Sequence, residues 1–331
     1  MPTHRAILRT ALHLNFVWLG WLITTSAHAH GIAGNRYFPG TLTFDDPAVA
    51  DELIVPNFSA TSYPGNAVDR VNDTTYGLSF ARLLTPDLAL QADSGWTRWT
   101  RPNQPTQHGF DTTSVGFKAR LYENDPHETL LSVSLDWGLP NSGSTAVGAG
   151  RPGSIQPGVF MGKGFGDLPD GWSGLRPFGV AAGFEGELPV HRRSTSLELD
   201  PATDQLATLP ATNPDMLHWG FALEYSTLYL TDRFTGGPPK EEPLRQWVPL
   251  VELAFDTPLS AGGKHTATAN PGLSYVAVTW QLAAEAVIPL NRASGSGVGG
   301  RIQLLFFLDD LVPALFGKPL LSERPVFSRG P

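Results

Sequence analysis

Residues 114–122 read Ser-Val-Gly-Phe-Lys-Ala-Arg-Leu-Tyr, and this stretch decides the fold. Val115, Phe117, Ala119 and Leu121 share one parity; Ser114, Gly116, Lys118, Arg120 and Tyr122 share the other. Successive side chains of an extended chain point to opposite faces, so this is a strand with one apolar and one polar face. Glu123-Asn124-Asp125-Pro126 has the composition of a turn. Beyond it, Leu131, Val133, Leu135 and Trp137 alternate with Ser132, Ser134, Asp136 and Gly138. The two runs predict an antiparallel hairpin.

The same period recurs on the C-terminal side of this hairpin. Phe178 to Glu185, Leu217 to Ser226, Val251 to Asp256, Val276 to Glu285 and Arg301 to Leu308 all alternate, and weaker strands are predicted at Thr75–Leu83 and Leu88–Trp99. A helical reading would scatter the charges around every face. Tight connections (Thr85-Pro86-Asp87, Glu123–Pro126) alternate with long ones rich in Gly, Pro and Ser: Arg101–Phe110, Pro140–Pro157, Arg192–Asp215, Gly236–Pro243, Ser260–Pro271 and Asn291–Gly300. Short turns at one end and long loops at the other fit a membrane barrel.

A soluble β-sandwich also alternates. Two features favour the membrane. Several predicted strands exceed the five or six residues usual for soluble sheets and approach the ~9–11 that a tilted membrane strand needs. The apolar faces carry large side chains ending in aromatics (Trp96, Trp99, Trp137, Trp219, Tyr225, Tyr229, Trp247, Trp280), as interfacial girdles require. The expected fold is all-β: an antiparallel transmembrane β-barrel of about 10–12 strands, with a short N-terminal segment and helix.

Residues 1–29 read as a signal peptide: Arg5 and Arg9, an apolar stretch from Ala11 to Thr25, then Ala27-His28-Ala29. Residues 30–73 form a predicted N-terminal plug or periplasmic segment. Within it, Asp46 to Leu53 predicts a short helix with Asp45 or Asp46 as N-cap, Pro47 at the first helical position, and Val55-Pro56 as its stop. Residues 74–310 make the barrel and 311–331 a tail.

Composition excludes several functions. The 331 residues contain no cysteine, which removes disulfides, thiolate metal sites and Cys nucleophiles. Lys and Arg total 23 against 31 Asp and Glu, a net charge of −8, so nucleic acid is not an expected partner. No G-x-S-x-G occurs, and Gly171-Trp172-Ser173-Gly174 lacks its spacing. Met161–Gly166 is glycine-rich but opens no helix, so a phosphate loop is not predicted, and no enzymatic activity is expected.

With signal peptide, N-terminal segment and alternating strands from Thr74 to Leu308, the chain resembles the bacterial outer-membrane β-barrel proteins. More loosely it resembles the outer-membrane channels associated with a phenol-degradation pathway. The resemblance implies outer-membrane location, lipid around the barrel and a small-molecule solute, apolar or aromatic. One departure is the end of the chain: the last strand runs into Asp309-Asp310 and a tail, with Phe327 near but not at the terminus.

Apolar faces turned to lipid put the polar faces in the lumen. The expected lumen residues are Lys118, Arg120, Asp136, Glu185, Glu187, Glu224, Glu252, Asp256 and Glu285, with Lys118 and Arg120 in a local ion-pair network. They describe either a polar passage favouring cations or neutral polar solutes, or charges that neutralise one another in a narrow barrel. A second reading starts at His30, which cleavage after Ala29 would expose. An N-terminal amine with its own imidazole can chelate copper. His30-Gly31 resembles the termini of lytic polysaccharide monooxygenases and copper carriers, which implies a secreted β-rich protein with a copper cofactor.

Overall fold

The computed structural model of the chain describes residues 31–64, 70–102, 104–149, 152–200, 205–229, 245–261 and 263–322. The proposed signal peptide, His30, Gly236–Pro243 and Phe327 lie outside the described residues. Twelve strands form the barrel: β1 (Glu52–Pro64), β2 (Arg70–Thr85), β3 (Leu88–Thr100), β4 (Ser114–Asn124), β5 (Thr129–Gly138), β6 (Ser154–Gly164), β7 (Phe178–Pro189), β8 (Met216–Tyr225), β9 (Gln246–Pro258), β10 (Thr266–Val276), β11 (Trp280–Pro289) and β12 (Gly299–Phe307). Each pairs antiparallel with its sequence neighbour, and β12 pairs with β1 through Arg301↔Ser59 and Phe307↔Glu52, closing the sheet. Closure leaves no free edge, which a sheet in lipid requires.

The faces are inverted relative to a soluble core. Phe117, Leu135 and Trp247 are more than half exposed, whereas Lys118, Asp136, Glu252 and Gln281 are at most 5% exposed. Apolar groups turned outward suit a hydrocarbon solvent, so the soluble sandwich does not describe this chain. Aromatics gather in two outer belts. Trp247, Tyr275 and Trp280 pack at 4.9 and 5.6 Å between ring centres at one end. Trp219 stacks on Phe255 at 4.2 Å toward the other. From Trp247 to Phe255 the chain advances eight residues, ~27 Å along a strand and ~20 Å after tilt, close to the height of a bilayer-facing band.

At one end, here the terminal end, β1 begins, β12 finishes and the turns Pro86-Asp87 and Ala277–Thr279 are tight. The longer connections 101–113, 139–153, 190–215 and 290–298 lie at the opposite, loop end, but 165–177 lies at the terminal end, so the expected division into short turns at one end and long loops at the other holds only in part. The connection 190–215 carries a paired hairpin of its own, Arg193–Asp200 with Gln205–Thr212.

Four expectations need correction. The helix at Asp46–Leu53 is absent: 41–51 is irregular, and Glu52 and Leu53 open β1. Its capping signal is real, since the Asp46 carboxylate accepts from the Ala48 amide at 2.7 Å, but neighbouring amides bond to lumen side chains instead of continuing a helix. The barrel begins at Glu52 rather than 74, because β1 pairs with both β2 and β12. Val276 to Glu285 is two strands, with the Ala277 amide bonded to the Trp280 carbonyl across a turn that carries no Gly or Pro. Finally, β6 spans part of a predicted loop and the glycine-rich Met161–Gly164. Its inward glycines hid its alternation.

The tail folds back. Leu308–Leu311 and Pro313–Phe316 form single turns, and the Leu320 and Leu321 amides bond to the carbonyls of Leu83 and Leu84 at 3.0 and 2.9 Å. Arg82 fixes it by donating to the carbonyls of Leu315 and Lys318 at 2.9 and 2.8 Å, with its guanidinium 4.9 Å from the Phe316 ring centre.

Candidate functional site: a plugged lumen

Gly31 to Asp51 enters the barrel at the terminal end, rises to mid-height at Thr43–Asp46 and descends to β1. Each step is held by a lumen side chain. A small hairpin, Ile32-Ala33 with Arg36-Tyr37, sits at the base. Arg36, 1% exposed, donates to the carbonyls of Arg176, Pro177 and Phe178 at 2.6, 2.8 and 3.1 Å and pairs with Glu128 at 3.3 Å. Tyr37 and the Gly40 amide donate to Gln281 Oε1 at 2.6 and 3.1 Å. Ile32, Tyr37, Val248, Val276, Leu305 and Phe307 form an apolar cluster around them. Thus Leu305 and Phe307, apolar yet facing inward, are explained by the plug they touch.

At the tip, Glu252 accepts the amides of Leu42 and Thr43 at 2.9 and 3.0 Å and the Thr43 hydroxyl. Gln303 donates to the Thr41 carbonyl at 3.2 Å. Phe44 lies where a Cβ at Gly183 or Gly220 would fall 2.7 or 2.6 Å from its ring, and Phe38 lies 2.9 Å from the corresponding point at Gly162. The glycines of β6–β8 therefore make room for plug aromatics. On the descent, Lys118 binds Asp45 at 2.7 Å and Asp46 at 3.8 Å, Ser132 donates to the Pro47 carbonyl at 3.0 Å, and Asp51 takes Arg82 at 2.6 Å and the Leu83 amide at 2.7 Å. Burial in this polar interior pushes the Asp46 carboxyl up to about 6, against the attraction of Lys118 and with the repulsion of Asp45.

All nine lumen residues named from the sequence stand at inward positions of their strands, but they do not form one set. Lys118 and Arg120 do not share a network: Lys118 goes to the plug, and Arg120 goes to Asp87 at 2.8 Å and Glu123 at 3.1 Å in the terminal turns. Asp136 accepts from Gln91 at 2.7 Å. Glu187 and Asp256 flank His218 at 3.3 and 2.7 Å. Glu285 pairs with Arg301 at 3.1 Å. Glu224 is 1% exposed with neither carboxylate oxygen bonded. The sequence reading did not place in the lumen Arg36, Asp45 and Asp46, which lie off the barrel strands, or Asp93 and Arg301, whose strand parity pointed inward.

Among the described residues, two cavities lie beside the plug. One, of about 360 Å³, runs along the β1–β6 wall from Ala50, Glu52 and Ala89 near the terminal end to Ser114 and Gln156 near the loop end. The other, of about 260 Å³, lies across the tip between Phe44, Phe160, Glu185, His218 and Asp256. Among the described residues no group of three or more His, Asp or Glu is placed to hold a metal ion.

No protein-family model matches the chain, and no curated protein matches it in sequence. Solved structures do. An outer membrane channel from Pseudomonas putida F1 superposes with a TM-score of 0.50 at 11% identity, covering 82% of this chain and 98% of that one. The β domain of the Bordetella autotransporter BrkA gives a TM-score of 0.46 at 12% identity over 78% and 99% of the two chains, and the NanC porin 0.41 at 9% over 77% and 98%. At such identities the likeness is one of fold: a closed, twelve-stranded antiparallel barrel of the kind found in bacterial outer-membrane proteins.

Proposed function

We propose that this chain is an outer-membrane channel for small molecules, gated by its own N-terminal segment. The carrying observation is the 360 Å³ cavity left open inside the barrel, beside a plug docked largely by hydrogen bonds and ion pairs. Polar docking can exchange protein partners for water one contact at a time, which suits a gate better than an apolar core does. Diffusion needs only width and wall chemistry, not a catalytic group. The fold of the Pseudomonas putida channel supports the reading.

The apolar or aromatic solute suggested by the looser resemblance is not the one this wall favours. Carboxylates, amides and hydroxyls dominate the cavity lining, so the proposed solute is polar. The test is conductance in planar bilayers, comparing the full chain with a variant lacking Gly31–Ala50. We expect a small conductance from the full chain and a several-fold larger one from the variant. A variant that is folded by its heat-modifiable gel shift yet does not conduct would overturn the proposal.

A further inference from the structure

The C-terminal tail lies outside the barrel, on its wall. Tyr76, Leu78 and Phe80 alternate along one face of β2. The first two are 49% and 44% exposed, and Phe80 stands opposite Ala92, itself opposite Val115 on the outer side of β4. That face is therefore the lipid-facing one. Phe80 is only half-buried there because the Phe316 ring packs edge-on against it, 6.4 Å between centres. The turn Pro313–Phe316 consequently covers outer wall rather than the mouth of the lumen.

The main chain of the tail is bonded to the barrel. The Leu320 and Leu321 amides donate to the Leu83 and Leu84 carbonyls of β2, and the carbonyls of Leu315 and Lys318 accept from Arg82. Leu315, Leu320 and Leu321 are left 70%, 60% and 75% exposed. In water, three leucines so exposed on a docked segment would cost free energy. Leu83 and Leu84 precede the turn at Pro86-Asp87 by ~7–10 Å along the strand, so the tail sits near the edge of the hydrocarbon and not at its middle.

We infer that the tail is a membrane-interface segment, whose Leu315, Leu320 and Leu321 insert among the phospholipid acyl chains of the leaflet at the terminal end. The partner is lipid and not a second copy of the chain, because this surface continues the lipid-facing wall: Leu78 of β2 and Leu90 of β3, 44% and 40% exposed, stand on the same outer face. Main-chain bonds turned inward and leucines turned outward are what a segment lying at the headgroup and acyl boundary requires. The inference needs the barrel in a membrane but does not depend on the barrel conducting.

The experiment uses the absence of cysteine, which makes any introduced thiol a unique labelling site. Leu315→Cys, Leu320→Cys and Leu321→Cys are each made in the full chain, labelled with bimane and reconstituted into vesicles of phosphatidylcholine and phosphatidylglycerol. Leu78→Cys on the outer wall and Lys264→Cys in the exposed connection between β9 and β10 are the lipid and water controls. A gel shift confirms that each variant is folded. Lipids carrying a nitroxide high on the acyl chain should quench the three tail labels to within about twofold of the Leu78 label, and iodide in the buffer should quench them several-fold less than the Lys264 label. Tail labels quenched by iodide and not by the nitroxide lipid would place the tail in water and overturn the inference. Labels shielded from both quenchers would mean that protein covers the leucines, as in an association of two copies, and would overturn it equally.

Discussion

The two halves of the lumen are built on opposite principles. In the terminal half most charges are matched: Arg36 with Glu128, Arg82 with Asp51, Arg120 with Asp87 and Glu123, leaving Glu52 and Glu224 without an ion-pair partner among the described residues. The plug fills the space between them, and Ile32, Tyr37, Leu305 and Phe307 complete an interior like that of a soluble protein. Toward the loop end the matching thins. Arg301 still pairs with Glu285, and His218 lies between Glu187 and Asp256, but Asp93, Asp136 and Glu185 face cavity rather than cation. Under the proposed channel function the first half would act as a stopper and the second as a vestibule. Thr43–Asp46 is the boundary, so the sharpest tests fall there.

Glu252 should give the largest effect. It is 0% exposed, and its two oxygens accept three donors from Leu42 and Thr43. Glu252→Ala strands those buried donors and should weaken plug docking by about 3–5 kcal/mol, the range for breaking a buried charged cluster. Hydrogen exchange of the 31–51 peptide, read by mass spectrometry, should speed up by at least about a hundredfold at Leu42 and Thr43. Unchanged protection there would mean the boundary is held elsewhere.

Asp46 should make the boundary pH-sensitive. Desolvation favours its neutral form when the plug is docked, so its pKa near 6 exceeds its value in the undocked chain. The docking it favours is fully present below about pH 4 and is lost as pH rises through about 6. The loss is on the order of 2–3 kcal/mol at most. After correction for intrinsic exchange, the plug should be better protected at pH 4.5 than at pH 7.5. Asp46→Asn should flatten the profile at the protected level. A profile unchanged by the substitution would assign the pH response to another group.

These tests concern the part of the molecule that periodicity could not see. Strand alternation depends only on local parity, so Val115 and Phe117 outward and Lys118 and Asp136 inward could be read from residue order alone. Leu305 and Phe307 broke the pattern because a plug residue, some 270 positions earlier, replaces water inside the barrel. The partners of Lys118 were hidden for the same reason: Asp45 and Asp46 sit on an irregular segment that has no period to extrapolate. The strand β6 was missed because three of its inward positions are glycines, of which Gly162 is small on behalf of Phe38. What a chain buries against itself at long range leaves no local signature.

The smallest expected effect separates two inward glycines of β7 that are alike by sequence. A Cβ at Gly183 would meet Phe44 at 2.7 Å, Phe160 at 3.2 Å and the Asp45 carbonyl at 3.3 Å. One at Gly179 would meet only Arg36 atoms, at 3.6 Å or beyond, which is ordinary contact. Gly183→Ala should therefore cost about 1–3 kcal/mol of plug docking through overpacking, and Gly179→Ala close to nothing. Truncating the ring should relieve the clash, so Gly183→Ala with Phe44→Ala should be less damaging than the sum of the two changes. That coupling, measured by exchange of the same plug peptide, distinguishes a glycine kept for the plug from one kept for the strand. Additive effects would place Phe44 elsewhere than against β7, and with it the tip that divides stopper from vestibule.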